Sequence, residues 1–148
     1  MRVVVQRVSR AAVRVDGETI AAIGRGLLLL VGFTRDDGEA EIGWMTEKIA
    51  HLRIFDDDAG KLNRSLLDVG GQALAVSQFT LYGDARKGRR PSFDASAPAD
   101  LARPLFEKFV NGLTSRGILT AVGRFQAIMH VELVNDGPVT ILMESPRA

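Results

Sequence analysis

Cysteine is absent from the 148 residues, and histidine occurs only at positions 51 and 130. Without cysteine there can be no disulfide, no thiolate nucleophile and no Cys-based zinc or iron–sulfur site. With two histidines, a His-based metal site would need carboxylates for most of its three or four ligands, so no metal and no cofactor are expected. A Ser-His-Asp triad requires an imidazole within reach of its nucleophile. His51 falls among core-facing positions of an expected helix, and His130 sits in a strand far from any Gly-x-Ser-x-Gly elbow. Any chemistry must proceed without the usual protein bases.

A surplus of one charge sign is also missing, since nineteen Lys and Arg oppose eighteen Asp and Glu. A broad basic groove is therefore not expected, and any basic site must be local. The longest apolar run, Gly26 to Phe33 (GLLLLVGF), is far short of the roughly 20 residues that span a bilayer. Gln6 and Arg7 interrupt the apolar N-terminus, which excludes a signal peptide and leaves a cytoplasmic, membrane-free protein as the expectation. Two ligand motifs fail on spacing. Counting from Asp56, FDDDAGK has its glycine fifth rather than sixth and Leu67 where an EF-hand needs Glu, so it reads as a solvated acidic turn. Gly24-Arg25-Gly26 is followed by Leu29 where a dinucleotide fingerprint needs a third glycine.

What is present is an alternation of β-branched residues with polar ones. Arg2 to Val15 reads as a long half-buried strand bending near Ser9 to Ala11, closed by an Asp16-Gly17 hairpin turn. Strands follow at Thr19–Ile23 and 27–33. Asp36, Asp37 and Glu39 suggest a capping box opening a helix from Glu39 to about Arg53, with Ile42, Met45, Ile49 and Leu52 on one stripe. ALAVSQFTL reads as a second buried strand. A second helix spans about Ser96 to Arg116 with Leu101, Leu105, Phe109 and Leu113 inward; it either kinks at Pro104 or begins its regular part there. Strands at Leu119–Val122, Ile128–Asn135 and Val139–Met143 complete the chain. This order predicts a single α+β domain over residues 1–148, with a curved, mostly antiparallel, barrel-like sheet and two main helices. A doubly wound α/β fold is the weaker alternative.

Three segments carry possible chemistry. SQFTLYGD ends an apolar strand with hydroxyls and amide groups that either satisfy stray backbone groups or form an oxyanion site at the sheet's rim. RKGRRPSF puts Arg86, Lys87, Arg89 and Arg90 around one glycine, either as a solvated face or as a holder of phosphates. NDGPVT reads on spacing alone as an Asp-Gly hairpin with Pro138 opening the next strand.

Taken together and in order, VVQRVSRA, LRIFDDDAGKLN, VSQFTLYGDARKGRRPSF and LVNDGPVTILMES closely resemble the D-aminoacyl-tRNA deacylase family, over essentially the whole chain. The resemblance implies a homodimeric cytoplasmic hydrolase that needs no metal. Its substrate would be the ester joining a D-amino acid, or glycine mischarged on tRNA-Ala, to the terminal adenosine of tRNA. It implies a catalytic and adenosine pocket of Ser77, Gln78, Phe79 and Thr80, and a cis Gly137-Pro138 pair that enters the partner subunit's pocket to reject L-aminoacyl groups, braced by Arg7. Phe125, Ala127 and Met129 match pocket-lining positions, whereas Gln126 and Ile128 depart from common family choices. Arg86, Lys87, Arg89 and Arg90 would contact tRNA. Two rival classes remain: a hydrolase that uses Thr80 as a protein nucleophile, and a non-catalytic module that binds the tRNA 3′ end.

Overall fold

One strand organises the molecule. In the computed structural model, which describes residues 1–147, β1 (Arg2–Val15) pairs antiparallel on one side with β3 (Gly26–Gly32) through residues 2–8 and with β2 (Glu18–Ile23) through residues 11–15. Its other side pairs antiparallel with β8 (His130–Glu144) over nearly its full length. β6 (Gln72–Ser77) joins β3 in parallel, and β7 (Thr120–Val122) joins β6 in parallel. The resulting six-stranded mixed sheet curls until it nearly closes as a barrel, as the α+β reading expected. Three of its five pairings are antiparallel. A small hairpin of β4 (Phe55–Asp56) and β5 (Leu62–Arg64) carries the acidic turn, where Asp57 accepts from the N–H groups of Ala59 and Lys61.

Strand parity divides the core. Val3 and Val5 of β1, with Leu27, Leu29 and Val31 of β3 and Ala73 and Ala75 of β6, face the helices α1 (Glu39–His51) and α3 (Ala99–Thr114). The opposite parity, Leu28, Leu74 and Val76, builds a second cluster with Val8, Ala11 and Val13 inside the curl. Burial on both faces is why β3 and β6 read as unbroken apolar runs. β1 serves both clusters because its pairing with β8 slips between Gln6 and Arg10, so the two halves of the strand present side chains to different cores.

Several sequence expectations shift. The N-cap of α1 is Gly38, and the Glu41 carboxylate returns to its N–H at 2.8 Å. Asp37 instead accepts from Thr34 N–H and the Met1 amino group, both at 2.7 Å. His51 is exposed beside Glu47, because the core stripe of α1 runs through Ile42, Met45 and Ile49. In α3 the buried stripe is Ala102, Phe106, Phe109 and Leu113, while Leu101 lies outside at 44% exposure. Pro104 sits within the helix, where its missing N–H leaves the Asp100 carbonyl without the usual intrahelical donor and its ring crowds that turn. The expected strand through Gln78 to Leu81 stops at Ser77, and residues Phe79–Tyr82 form a 3₁₀ turn. The short helix α2 (Leu66–Val69) precedes β6.

Candidate active site

A cleft of about 740 Å³ opens where β6 ends. Ser77, Gln78 and Phe79 form one side, Phe125, Ala127 and Met129 the facing wall, and Ser96 to Ala99, leading into α3, the end. The 3₁₀ turn is fastened from two directions: Gln78 N–H donates to Val31 C=O at 2.7 Å, and Ser96 Oγ donates to Phe79 C=O at 2.7 Å. Phe79 is 55% exposed and meets Phe93 edge-on, with ring centroids 5.1 Å apart. Two half-covered aromatic rings beside an apolar wall make a surface on which a base or another flat group can stack.

Thr80 is not among the residues that line this cleft; its Oγ1 accepts from Nε2 of Gln78, which is. The N–H groups of Phe79 and Thr80 open the 3₁₀ turn, and among the described residues neither has an acceptor. Opening N–H groups of a helical turn are unpaired by geometry, so they are available to an oxygen placed before them. Tyr82 closes the turn, buried beneath the Arg2 guanidinium at 4.5 Å from its ring. Burial, with Asp37 nearby, pushes its phenol up to about 12.

The NDGPVT segment is not a hairpin between two mutually paired strands. Both of its flanks pair with β1, Gln6 opposite Thr140 and Val8 opposite Asn135, so residues 136–139 bulge from one continuous edge strand. Gly137–Pro138 is cis and both residues are exposed. Arg7 fills the space below. It shares strand parity with Val3 and Val5, is 6% exposed, and donates to the carbonyls of Asp136 at 3.1 Å and Ile54 at 3.0 Å. Asn135 Nδ2 donates to the carbonyls of Arg7 and Val139, both at 3.0 Å, which closes the neck of the bulge. A methyl group at Gly137 would meet the Val139 nitrogen at 3.0 Å and Arg7 Nη2 at 3.1 Å, and the φ of +123° is itself a glycine conformation. Arg7, Gly137 and Pro138 therefore form one braced unit that does not line this chain's own cleft.

The basic loop also stands outside it. Arg86, Lys87, Arg89 and Arg90 are exposed on a projection closed by a bridge between Asp84 and Ser92. Arg86 is bound to Asp84 at 2.6 Å, and this hydrogen bond holds the Asp84 carboxyl down at about 2. Lys87, Arg89 and Arg90 take part in no ion pair among the described residues.

A sequence model of the family described as D-Tyr-tRNA(Tyr) deacylase matches residues 4–144. The chain belongs to that family. A D-aminoacyl-tRNA deacylase of Koribacter versatilis is 59% identical over 147 residues, covering 99% of each chain. Another of that name, from Roseiflexus castenholzii, is 61% identical over 145 residues, covering 98% of this chain and 92% of the relative. A solved structure titled c-Myc DNA Unwinding Element Binding Protein superposes with a TM-score of 0.94 at 43% identity, covering 99% of this chain and 100% of the other.

Among the residues that line this cleft, sequence reasoning missed Arg35, Phe93, Ser96, Pro98, Ala99 and Ala102. Phe93 ends the basic motif RKGRRPSF, and an aromatic at the foot of a cationic loop was the available signal. Arg35 follows the apolar run of β3 closely, at the strand end where a sheet's rim begins.

Proposed function

We propose that the cleft receives the terminal adenosine and ester of D-aminoacyl-tRNA, and that the protein hydrolyses this ester to free D-amino acid and tRNA. Glycine mischarged on tRNA-Ala is a further substrate in this reading. The observation that carries it is the meeting of Ser77, Gln78 and Phe79 with Phe125, Ala127 and Met129 on one cleft, although the two segments are far apart in sequence. The cytoplasm, where tRNA is charged, is the corresponding location, and among the described residues no helix is long and apolar enough to cross a membrane.

An aminoacyl ester is already activated, so its hydrolysis needs a placed water and stabilisation of the developing oxyanion more than a strong base. The unpaired N–H groups of Phe79 and Thr80 are suited to the carbonyl oxygen. Thr80 Oγ1 has Gln78 as its partner and, among the described residues, no hydrogen bond to an imidazole or carboxylate that could take its proton, which favours the ribose 2′-hydroxyl of the substrate as the group that activates water. Thr80→Ala therefore retains substantial turnover. Near-complete loss with tRNA binding kept would establish Thr80 as nucleophile instead.

Chirality is read by the Gly137–Pro138 bulge of a second subunit, seated at the open mouth of the cleft. Its carbonyl groups accept from the substrate's α-ammonium and leave no room on the L side, while a D side chain points outward. This makes the homodimer the working unit, and Arg7 its internal brace. The decisive assay compares D-tyrosyl-tRNA, L-tyrosyl-tRNA and the D-ester lacking the 2′-hydroxyl. Rapid release from the first alone supports the reading. Equal release from the deoxy substrate refutes the 2′-hydroxyl step, and tRNA binding without any release makes the protein a binding module for the tRNA 3′ end.

A further inference from the structure

Arg103 is a cation whose position the proposed hydrolysis leaves unexplained. It lies near the start of α3, its guanidinium 4.5 Å from the centroid of Phe125, a wall residue of the cleft. Its Nη2 donates at 3.2 Å to Oε1 of Gln126, the next residue of the same wall. Gln126 adopts a φ of +61°, a left-handed conformation that non-glycine residues seldom hold without a surrounding reason. Phe125 is backed in turn by Phe106, with centroids 6.2 Å apart. Arg103 takes part in no ion pair among the described residues.

A guanidinium has five N–H donors in a rigid fork, and one of Arg103's is used by Gln126. Among the described residues the rest have no acceptor, while the aromatic stack and the amide limit the side chain's freedom, so little further order is lost when an anion arrives. The charge sits outside the cleft's apolar wall, on an exposed residue at its rim. An aminoacyl ester has no carboxylate, so the anions of an RNA end are its backbone phosphates, and these trail outside a cleft that holds the terminal nucleoside.

We infer that Arg103, held by Phe125 and Gln126, binds a backbone phosphate next to the terminal adenosine and so sets the depth at which the 3′ end enters the cleft. This rests on the deacylase reading. Gln126, which departs from common family choices, then serves to orient a phosphate-binding arginine and need not touch the ester.

The test compares D-tyrosyl-tRNA with D-tyrosyl-adenosine, the same ester without any phosphate. Arg103→Gln is expected to lower the ratio of kcat/KM between the tRNA and adenosine esters by about threefold to tenfold, through KM, as expected for one phosphate contact. The slope of log affinity for tRNA against log salt becomes shallower by about 0.7, the value for one single-strand phosphate contact. Arg103→Lys keeps the salt slope while losing part of the affinity, and Gln126→Ala lowers the same ratio by less than Arg103→Gln. An unchanged ratio, whether both substrates suffer equally or neither does, overturns the inference, since the arginine would then only support the Phe125 wall. If the wild-type protein releases no D-tyrosine from tRNA, the deacylase reading fails separately. Binding of uncharged RNA ending in CCA still decides the phosphate contact: equal salt slopes for wild type and Arg103→Gln overturn it.

Discussion

Replacing Arg7 by methionine tests whether the Gly137–Pro138 bulge depends on the cation beneath it. Methionine keeps most of the stem and removes the donors that serve the Asp136 and Ile54 carbonyls. The buried Ile54 carbonyl left without a donor costs about 1–3 kcal/mol, and the carbonyl of exposed Asp136, which water can reach, adds less than about 1 kcal/mol, so the two together cost about 1–4 kcal/mol. Relief from burying a guanidinium offsets part of this. The Asp56 and Asp136 carboxylates stand 3.4 Å away with their side chains half exposed. Solvent screening leaves each of those pairs worth less than about 1 kcal/mol. The net expected loss is about 1–3 kcal/mol.

At this chain length each kcal/mol lowers the melting temperature by roughly 2–4 °C, giving a drop of roughly 2–12 °C. Urea unfolding should show a lower midpoint at an unchanged slope. Arg7→Lys should fall between, because one ammonium cannot fork to both carbonyls. In the proposed mechanism, Arg7→Met also narrows the preference for D- over L-tyrosyl-tRNA, since the bulge loses its brace. A stability loss below about 1 kcal/mol would refute the argument, because it would mean that neither carbonyl needs this donor.

Three further outcomes rest on the same geometry. Tyr82 is the only tyrosine, so ultraviolet titration reads it alone: its phenol should ionise near 12 in the folded protein, against an ordinary value of 10. Because the folded state favours the neutral phenol, this stabilisation is complete below pH 10 and is lost as pH rises towards 12; ionisation at the ordinary value in native protein would contradict it. Gly137→Ala should cost at least about 2 kcal/mol through its positive φ and the contacts with Val139 and Arg7, read by urea unfolding. Gly26→Ala should cost more than about 3 kcal/mol, since its methyl would stand 1.8 Å from Gln72 C=O and part β3 from β6, whereas Gly43→Ala, with nothing within 4 Å, should gain about 0.5–1 kcal/mol.

The legible parts of this fold were those governed by local rules. Asp16 and Gly17 both have positive φ, as the turn chemistry of an Asp-Gly hairpin demands, and the unbroken apolar run of β3 is buried on both faces. The first half of the α3 stripe was misplaced by one residue, Leu101 and Leu105 for Ala102 and Phe106. A small alanine fits where the helix meets the cleft, and an apolar count rewards size over position. The strand reading of Gln78 to Leu81 failed because the end of the strand is set from outside, by Val31 receiving Gln78 N–H and by Ser96 reaching the Phe79 carbonyl.

NDGPVT shows the same limit at the candidate site. Asp-Gly-Pro between two alternating runs specifies a reversal, and a hairpin is the local solution. The bulge arises because both runs pair with one strand, β1, which turns a two-strand motif into an interruption of a single edge strand. The side chain that fills the interruption comes from that same strand, more than a hundred residues earlier. In sequence Arg7 is only a charge that breaks an apolar alternation. Its parity with Val3 and Val5 directs it inward, and burial of a cation there becomes tolerable because the bulge supplies a carbonyl that its pairing with β1 leaves without a donor. The arginine and the bulge thus require each other, and neither has a local reason to exist alone.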